Sequence, residues 1–408
     1  MPRIRTREPV REQGVIRFEM PEDVLPPDHT ARLLWRVVET LDLSAFERDA
    51  KAVEGRQGRD RASTKMLLTL WLYAIAVGVG SAREIERRLR SDAAFQWIVG
   101  DQSVGRTRLA EFRVEHIDAL QKVFTDVLGV LQQRGLASLA VVAQDGTRVR
   151  ASASAPSFRR LASLKECREQ AALHLKAVLA EADDADDAGA QRVREAKARD
   201  FAARVDAAIE TIGELVEKGQ GGKKPRASTT DPEARVMKMA DGGFRPAYNV
   251  QLATAGSPMG GPRTIVGVRV TNQGSDYGSV APMLEQIRER TGRLPTSLLA
   301  DGGQSDFASI EAATALGVVP VISPRTEKTP DSHKETAVIT AWRERMMHPA
   351  SKQLLRARAS LCELPNAHAK TRFTMASVLV RGLEKVTCVA LLVALTSNLL
   401  GHAASLLR

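Results

Sequence analysis

Leu139-Ala140-Val141-Val142-Ala143-Gln144-Asp145-Gly146-Thr147 is the stretch on which the fold turns. Its five leading apolar residues, bounded by a turn dipeptide, predict a short buried strand. A second stretch repeats the design: Thr296-Ser297-Leu298-Leu299-Ala300 runs into Asp301-Gly302. Both strands are expected to stop at Asp-Gly, with Thr147–Ala151 as a returning strand after the first. A carboxylate at a strand end lies at the rim of the core, where a ligand can reach it, and the glycine permits close approach. If the two strands neighbour each other in one sheet, Asp145 and Asp301 converge. Converging carboxylates repel unless a cation lies between them, and oxygen ligands of this kind suit hard divalent ions such as magnesium. Taken singly, Asp-Gly after a strand is more often a turn than a site; the shared design is what singles out this pair.

A third carboxylate would complete a two-metal site. Glu335, Glu344, Glu363 and Glu384 are candidates in the C-terminal third. Glu363 is set apart by its company, because Asn366 and Lys370 follow at spacings that share one helix face. Pro365 is tolerated near a helix start, which places Glu363 at the beginning of that helix. An ordinary solvated glutamate satisfies the same texture.

Around these strands the chain divides by pattern. Residues 1–30 are polar and proline-spotted, a loosely held arm. Residues 31–135 have helical periodicity, with Leu33, Leu34, Val37, Val38 and Leu41 on one stripe and Ser63 and Ser81 placed to cap helices. Arg83, Arg87, Arg88, Arg90, Arg106, Arg108 and Arg113 give this all-α block a basic rim. Residues 136–408 are mixed α/β, interrupted at 158–220 by a charged helical segment. Its two apolar stripes (Leu161, Leu164, Leu175, Val178, Leu179 and Phe201, Val205, Ile209, Ile212, Val216) flank the acidic stretch Glu181–Asp187 and predict a helical hairpin. Strands are expected at Ala234–Met239, Tyr248–Thr254, Thr264–Val270 and Val318–Ile322, and helices at Ser279–Thr291 and Asp306–Leu316. Asp241-Gly242-Gly243 reads as a turn.

Composition narrows the function. The 408 residues carry a net charge of +10, which favours a polyanionic partner. Aromatic residues make up only 4%, so extensive base stacking on aromatic platforms is disfavoured. Cys167, Cys362 and Cys388 are odd in number and widely separated, which excludes a disulfide framework or zinc spacing and fits a reducing compartment. The seven histidines form no paired ligand spacing. No nucleophile elbow, Walker loop or dinucleotide fingerprint is visible. Met1–Gly14 is basic without a following apolar run, unlike a secretory signal. Met66–Gly80 and Val386–Leu400 fall short of the roughly 20 residues of a membrane span and read as buried core helices; no membrane partner is expected.

The chain resembles bacterial insertion-sequence transposases of the DDE type. Three segments carry the resemblance: Leu67–Gly78 with Ser81-Ala82-Arg83-Glu84-Ile85-Glu86 and Leu109-Ala110-Glu111-Phe112-Arg113; Asp231-Pro232-Glu233-Ala234-Arg235 through Asp241-Gly242-Gly243-Phe244-Arg245-Pro246-Ala247-Tyr248-Asn249-Val250-Gln251; and Val380-Arg381-Gly382-Leu383-Glu384-Lys385-Val386 with Ser397-Asn398-Leu399. The resemblance implies a ribonuclease H-like catalytic core with a helical hairpin insertion, preceded by an all-α DNA-binding domain. It implies a catalytic, metal-holding triad of Asp145, Asp301 and Glu363, with the family's downstream lysine at Lys370. Two magnesium ions are implied, with manganese able to substitute. The implied partners are DNA, as terminal inverted repeats and target, and a second copy of the chain when paired ends are held, in a cytoplasmic, nucleoid-associated setting. Arg106, Arg108, Arg113, Arg235, Lys238 and Arg245 are the candidate DNA contacts beside Lys370.

The chain departs from the pattern in three places. Gln304 stands where relatives usually have tyrosine. Arg356 and Arg358 lie upstream of Glu363 with no tyrosine among them. Leu364-Pro365-Asn366-Ala367 lacks the usual aromatic and glycine. These departures keep open a decayed transposase acting only as a DNA-binding protein; a related ribonuclease H-like nuclease that cuts without strand transfer is a second alternative.

Overall fold

The computed structural model describes residues 20–48, 61–100, 102–181, 188–219, 222, 224–324 and 336–407. Most of the N-terminal arm, residues 182–187 of the acidic stretch, and Glu335 lie outside the described residues.

The helical block is built from α1 (Thr30–Glu39), α2 (Thr64–Ala76), α3 (Ala82–Arg88), α4 (Ala93–Val99), α5 (Arg106–Phe112) and α6 (Ile117–Gln133). Ser63 and Ser81 accept hydrogen bonds from the Met66 and Glu84 amides, which satisfies orphan donors at the starts of α2 and α3. α1 buries one stripe, including Leu34, Val37 and Val38. α2 is apolar almost all round, as a helix enclosed by others must be, and packs against α1, α4 and the C-terminal helix.

The rest of the chain runs β1 (Val141–Arg150), β2 (Phe158–Arg159), α7 (Leu161–Ala180), α8 (Ala188–Glu217), β3 (Ala227–Ser228), β4 (Arg235–Lys238), β5 (Phe244–Ala255), β6 (Thr264–Thr271), α9 (Val280–Thr291), β7 (Ser297–Ala300), α10 (Phe307–Ala315), β8 (Val319–Ile322), α11 (Ala337–Met347), α12 (Pro349–Arg358), α13 (Leu364–Thr371) and α14 (Leu383–Leu406). The architecture is mixed α/β. The main sheet has the order β4-β5-β1-β7-β8, with β6 also paired to β5. β5 is antiparallel to β1, β4 and β6, whereas β1, β7 and β8 run parallel.

β1 corrects one expectation. It does not stop at Asp145-Gly146 but pairs without a break with β5, from Val142 opposite Ala255 to Arg150 opposite Ala247. Gly146 is needed there for space and not for a turn, and its backbone stays in the ladder. A Cβ there would lie 2.3 Å from Gln251 Nε2 and 2.4 Å from Asp276 Oδ1. At β7 the strand does end before Asp301, whose side chain caps a short helical turn over Gly302–Gln304.

The 158–218 segment is the expected helical hairpin, closed at its base by the β2–β3 ribbon. Its contact stripe is narrower than the apolar pattern suggested. Leu164, Val178, Val205, Ala208 and Ile212 are buried, whereas Leu161, Leu179 and Val216 are exposed.

α14 is 24 residues long and apolar enough, by length and composition, to cross a membrane, longer than the stretch read from sequence. Of its most apolar window, 72% is buried inside the protein. It packs against α1, α2, α6 and β6, so one continuous core joins the helical block to the sheet.

A candidate paired-carboxylate site at two adjacent parallel strands

β1 and β7 are parallel neighbours, with Val141, Val142 and Ala143 opposite Ser297, Leu298 and Leu299. Asp145 and Asp301 each follow the last matched pair by two positions. Strand alternation therefore assigns them the same face of the sheet. Asp145 Oδ2 accepts from Asn366 Nδ2 at 3.0 Å and Oδ1 from its neighbour Gly146 N at 3.0 Å. Asp301 Oδ1 accepts from Gly303 N at 2.8 Å.

Asn366 reaches Asp145 from a helical run that extends unbroken over residues 349–371. Its middle, Ala359–Glu363, is a π-turn. Pro365 has no N–H to give the Leu361 carbonyl, and the widened turn falls immediately before it. Glu363 thus lies mid-run, a correction to its expected place at a helix start. The shared face read from sequence holds for Asn366 and Lys370. Both approach Asp145, and burial pushes the Lys370 ammonium below its ordinary range while Asp145 opposes that shift.

Glu363 is not gathered with the aspartates. Its side chain is 62% exposed, and its carboxylate lies 3.9 Å from Arg358 Nη2. The same guanidinium lies 4.0 Å from Asp145 Oδ1 through Nη1. Arg358 therefore stands between the two acids. Among the described residues, no three His, Cys, Asp or Glu side chains are grouped to hold a metal ion. Burial raises the Asp145 carboxyl above the usual range; Arg358 and the Asn366 hydrogen bond oppose this, and the Asp301 charge adds to it. Cys362, on the same helical run, has its thiol pushed up to about 12, mainly by burial.

The donor set fits a divalent cation in part. Asp145 and Asp301 offer carboxylate oxygens, and Asn366 leaves its Oδ1 buried without a partner. An all-oxygen set of this kind suits a hard ion. Glu363 would have to leave Arg358 to join it.

The basic candidates divide. Arg113 is buried rather than on the rim: it donates to Gly80 O at 2.7 Å and lies 4.7 Å over the Trp71 ring. Arg235 folds back on its own segment, donating to the Pro232 and Ala234 carbonyls at 2.7 and 3.0 Å. Arg245 is paired with Asp241 at 2.6 Å, and Arg108 lies 3.9 Å from Glu111. Arg106 and Lys238 are exposed.

Sequence reading missed what lies on the other face of β1. Asp276, in the loop before α9, accepts from Asn249 Nδ2 at 2.7 Å, from Gln251 Nε2, and from Arg148 Nη2 at 3.2 Å. Asn249 and Gln251 are essentially fully buried. Their one available signal was alternation, two amides at successive inward positions of an otherwise apolar strand. Asp276 gave none, because a Ser-Asp-Tyr-Gly loop is ordinary.

The fold and site thus define a mixed α/β protein with two acids at equivalent register along adjacent parallel strands. Comparison with known families adds one match: residues 19–115 match the family model described as Transposase domain (DUF772). The match spans α1–α5 and supports placing the chain among transposases. No curated protein and no solved structure matches the chain.

Proposed function

We propose that the protein is a DDE-type transposase of an insertion sequence, cutting phosphodiester bonds at the element ends and joining the freed 3′-hydroxyls to target DNA. The observation that carries this reading is the equivalent register of Asp145 and Asp301, faced by a helix bearing Asn366 and Lys370. The mixed sheet and the transposase-domain match over residues 19–115 support it. In this reading the sheet is a ribonuclease H-like core, and Asp145 and Asp301 hold magnesium, or manganese in its place, with Glu363 as third ligand of a two-ion site. Bound ions of this kind supply an activated hydroxyl nucleophile and stabilise the leaving oxygen of an in-line displacement.

The chain's own residues have separate tasks. Asn366 orients the Asp145 carboxylate. Lys370, poised beside it, contacts a backbone phosphate of the DNA. Arg106 and Lys238, exposed on the surface, contribute sequence-independent phosphate contacts. A second copy of the chain is needed to hold the paired ends together.

The position of Glu363, exposed and turned to Arg358, favours one competing reading: a chain that binds DNA but no longer cuts it. An excision assay separates the two. A donor plasmid carries the gene with its native flanks, expressed as wild type or as Asp301→Asn. Excision by wild type alone supports the transposase. No excision by either, with flank DNA still bound by the purified protein, supports the non-catalytic reading.

A further inference from the structure

Asp276 joins three segments from the face of the sheet opposite Asp145. In β1 it meets Arg148 at 3.2 Å, and Arg148 also donates to Gly274 O at 2.8 Å, which closes the loop onto the strand. In β5 it accepts from Asn249 and Gln251. Gln251 stands opposite Gly146 in the β1–β5 ladder, and its Oε1 accepts from Gln144 Nε2 at 3.3 Å and Gln304 Nε2 at 3.2 Å. Gln304 closes the turn that Asp301 caps, its amide donating to Asp301 O at 3.1 Å. Asp276 is also close to that turn directly: a Cβ on Gly303 would lie 3.8 Å from Asp276 Oδ2 and 2.9 Å from Asp301 Oδ1.

The links among the amides lie inside the protein, whereas the Arg148 bonds lie nearer its surface. Gln144, Asn249, Gln251 and Gln304 are at most 1% exposed. Buried amides joined to one carboxyl hub, directly or through Gln251, have few alternative arrangements, because breaking a link leaves a desolvated donor unpaired. The network contains no covalent or local link between Asp145 and Asp301. It is nevertheless a continuous hydrogen-bonded path from the residue beside Asp145 to the turn capped by Asp301.

We infer that Asp276 is a positioning residue: by holding Gly146 and the Gly302–Gln304 turn in one buried network, it fixes the relative placement of the Asp145 and Asp301 carboxylates. Its effect on ion binding rests on the proposed function; its effect on the two segments does not. The polar departure at Gln304 then has a use, since its amide completes the path to Gln251.

The test uses the full chain as wild type, Asp276→Ala, Asp276→Asn and Gln304→Met. Hydrogen exchange is followed in peptides spanning 141–150 and 297–306, and Mn2+ binding is titrated by water-proton relaxation. Gln304→Met removes the path to the turn without stranding a charge, so it remains informative should the Asp276 variants fold poorly. The expected result is exchange about tenfold faster at 302–306 in Asp276→Ala and Gln304→Met, with α2 and α14 protected as in wild type. Mn2+ affinity is expected to fall about 10- to 100-fold in Asp276→Ala, the range for residues that orient metal ligands, and less in Asp276→Asn, which keeps an acceptor oxygen. Unchanged exchange at 302–306 in folded Gln304→Met and Asp276→Asn overturns the inference. Faster exchange in a series whose wild type binds no Mn2+ upholds the positioning role and counts against the metal-dependent function instead.

Discussion

Asp145, within β1, and Asp301, just past the end of the adjacent parallel strand β7, stand at matching positions, each two residues beyond the Ala143–Leu299 pair. Parallel pairing sets the middle of β1 level with the C-terminal end of β7, so two residues 156 positions apart in sequence come to equivalent register without help from a local turn. Replacing either by asparagine is expected to lower excision by at least about a thousandfold, equivalent to roughly 4 kcal/mol of transition-state stabilisation. Excision counted per cell in the donor-plasmid assay checks this. Residual activity within tenfold of wild type in either variant would remove that acid from the reaction.

The burial of Asp145 has a consequence for stability. Its folded carboxyl is raised above the ordinary range, so its contribution is fully present below the unfolded value of about 3.9 and is lost as pH rises through the folded value. With a chelator present, Asp145→Asn is therefore expected to melt higher than wild type at pH 7 and to differ little at pH 3.5. Calorimetry at the two pH values tests the sign. A variant that melts lower at pH 7 would show that the desolvated charge is not the dominant cost at this position.

Gly146 is held to glycine by its neighbours rather than by its backbone. Gly146→Ala would drive a methyl into Gln251 and Asp276, and overpacking of this kind costs about 1–3 kcal/mol. Urea titration should show the midpoint falling with little change in slope. A loss below about 0.5 kcal/mol would mean that the buried amides can move aside.

The segment Asp231–Arg235 is tied to the start of α14. Tyr248 donates to Asp231 Oδ1 at 2.7 Å, Gly382 N donates to the same oxygen at 3.2 Å, and Leu383 N donates to Glu233 Oε2 at 2.9 Å. Tyr248→Phe leaves a buried carboxylate short of one donor and is expected to cost about 1–3 kcal/mol. The readout is chemical denaturation of the purified variant, with far-UV circular dichroism confirming the fold. Wild-type stability would show that the Gly382 amide suffices.

Arg113 and Lys238 were grouped by charge and are separated by burial. Lys238→Ala is expected to weaken binding to random duplex DNA and to reduce the salt slope of log K by about 1. Arg113→Ala is expected to leave that slope unchanged and to destabilise the fold instead, because it frees the Gly80 carbonyl and exposes Trp71. Fluorescence anisotropy across a salt series, paired with melting curves, distinguishes the two. A reduced slope in folded Arg113→Ala would return that residue to the DNA-facing surface.

The sequence by itself determined the local elements and singled out Asp145 and Asp301 as candidates. Short apolar runs, cap serines and amphipathic stripes encode strands and helices through nearest-neighbour physics, and they placed β7, β8, α9, α10 and the hairpin close to where they lie. The tertiary structure alone decided the meaning of Asp145-Gly146. Locally it reads as a turn, but the β5 ladder runs through it, and the residue is glycine because Gln251 and Asp276 occupy the space a side chain would need. The structure also decided that Arg113 is core and Lys238 surface, that Arg358 lies between Asp145 and Glu363, and that Asp276 meets Arg148, Asn249 and Gln251 on the other face of β1. Each of these depends on contacts between segments far apart in the chain, and periodicity carries no information about which distant surface a polar side chain will meet.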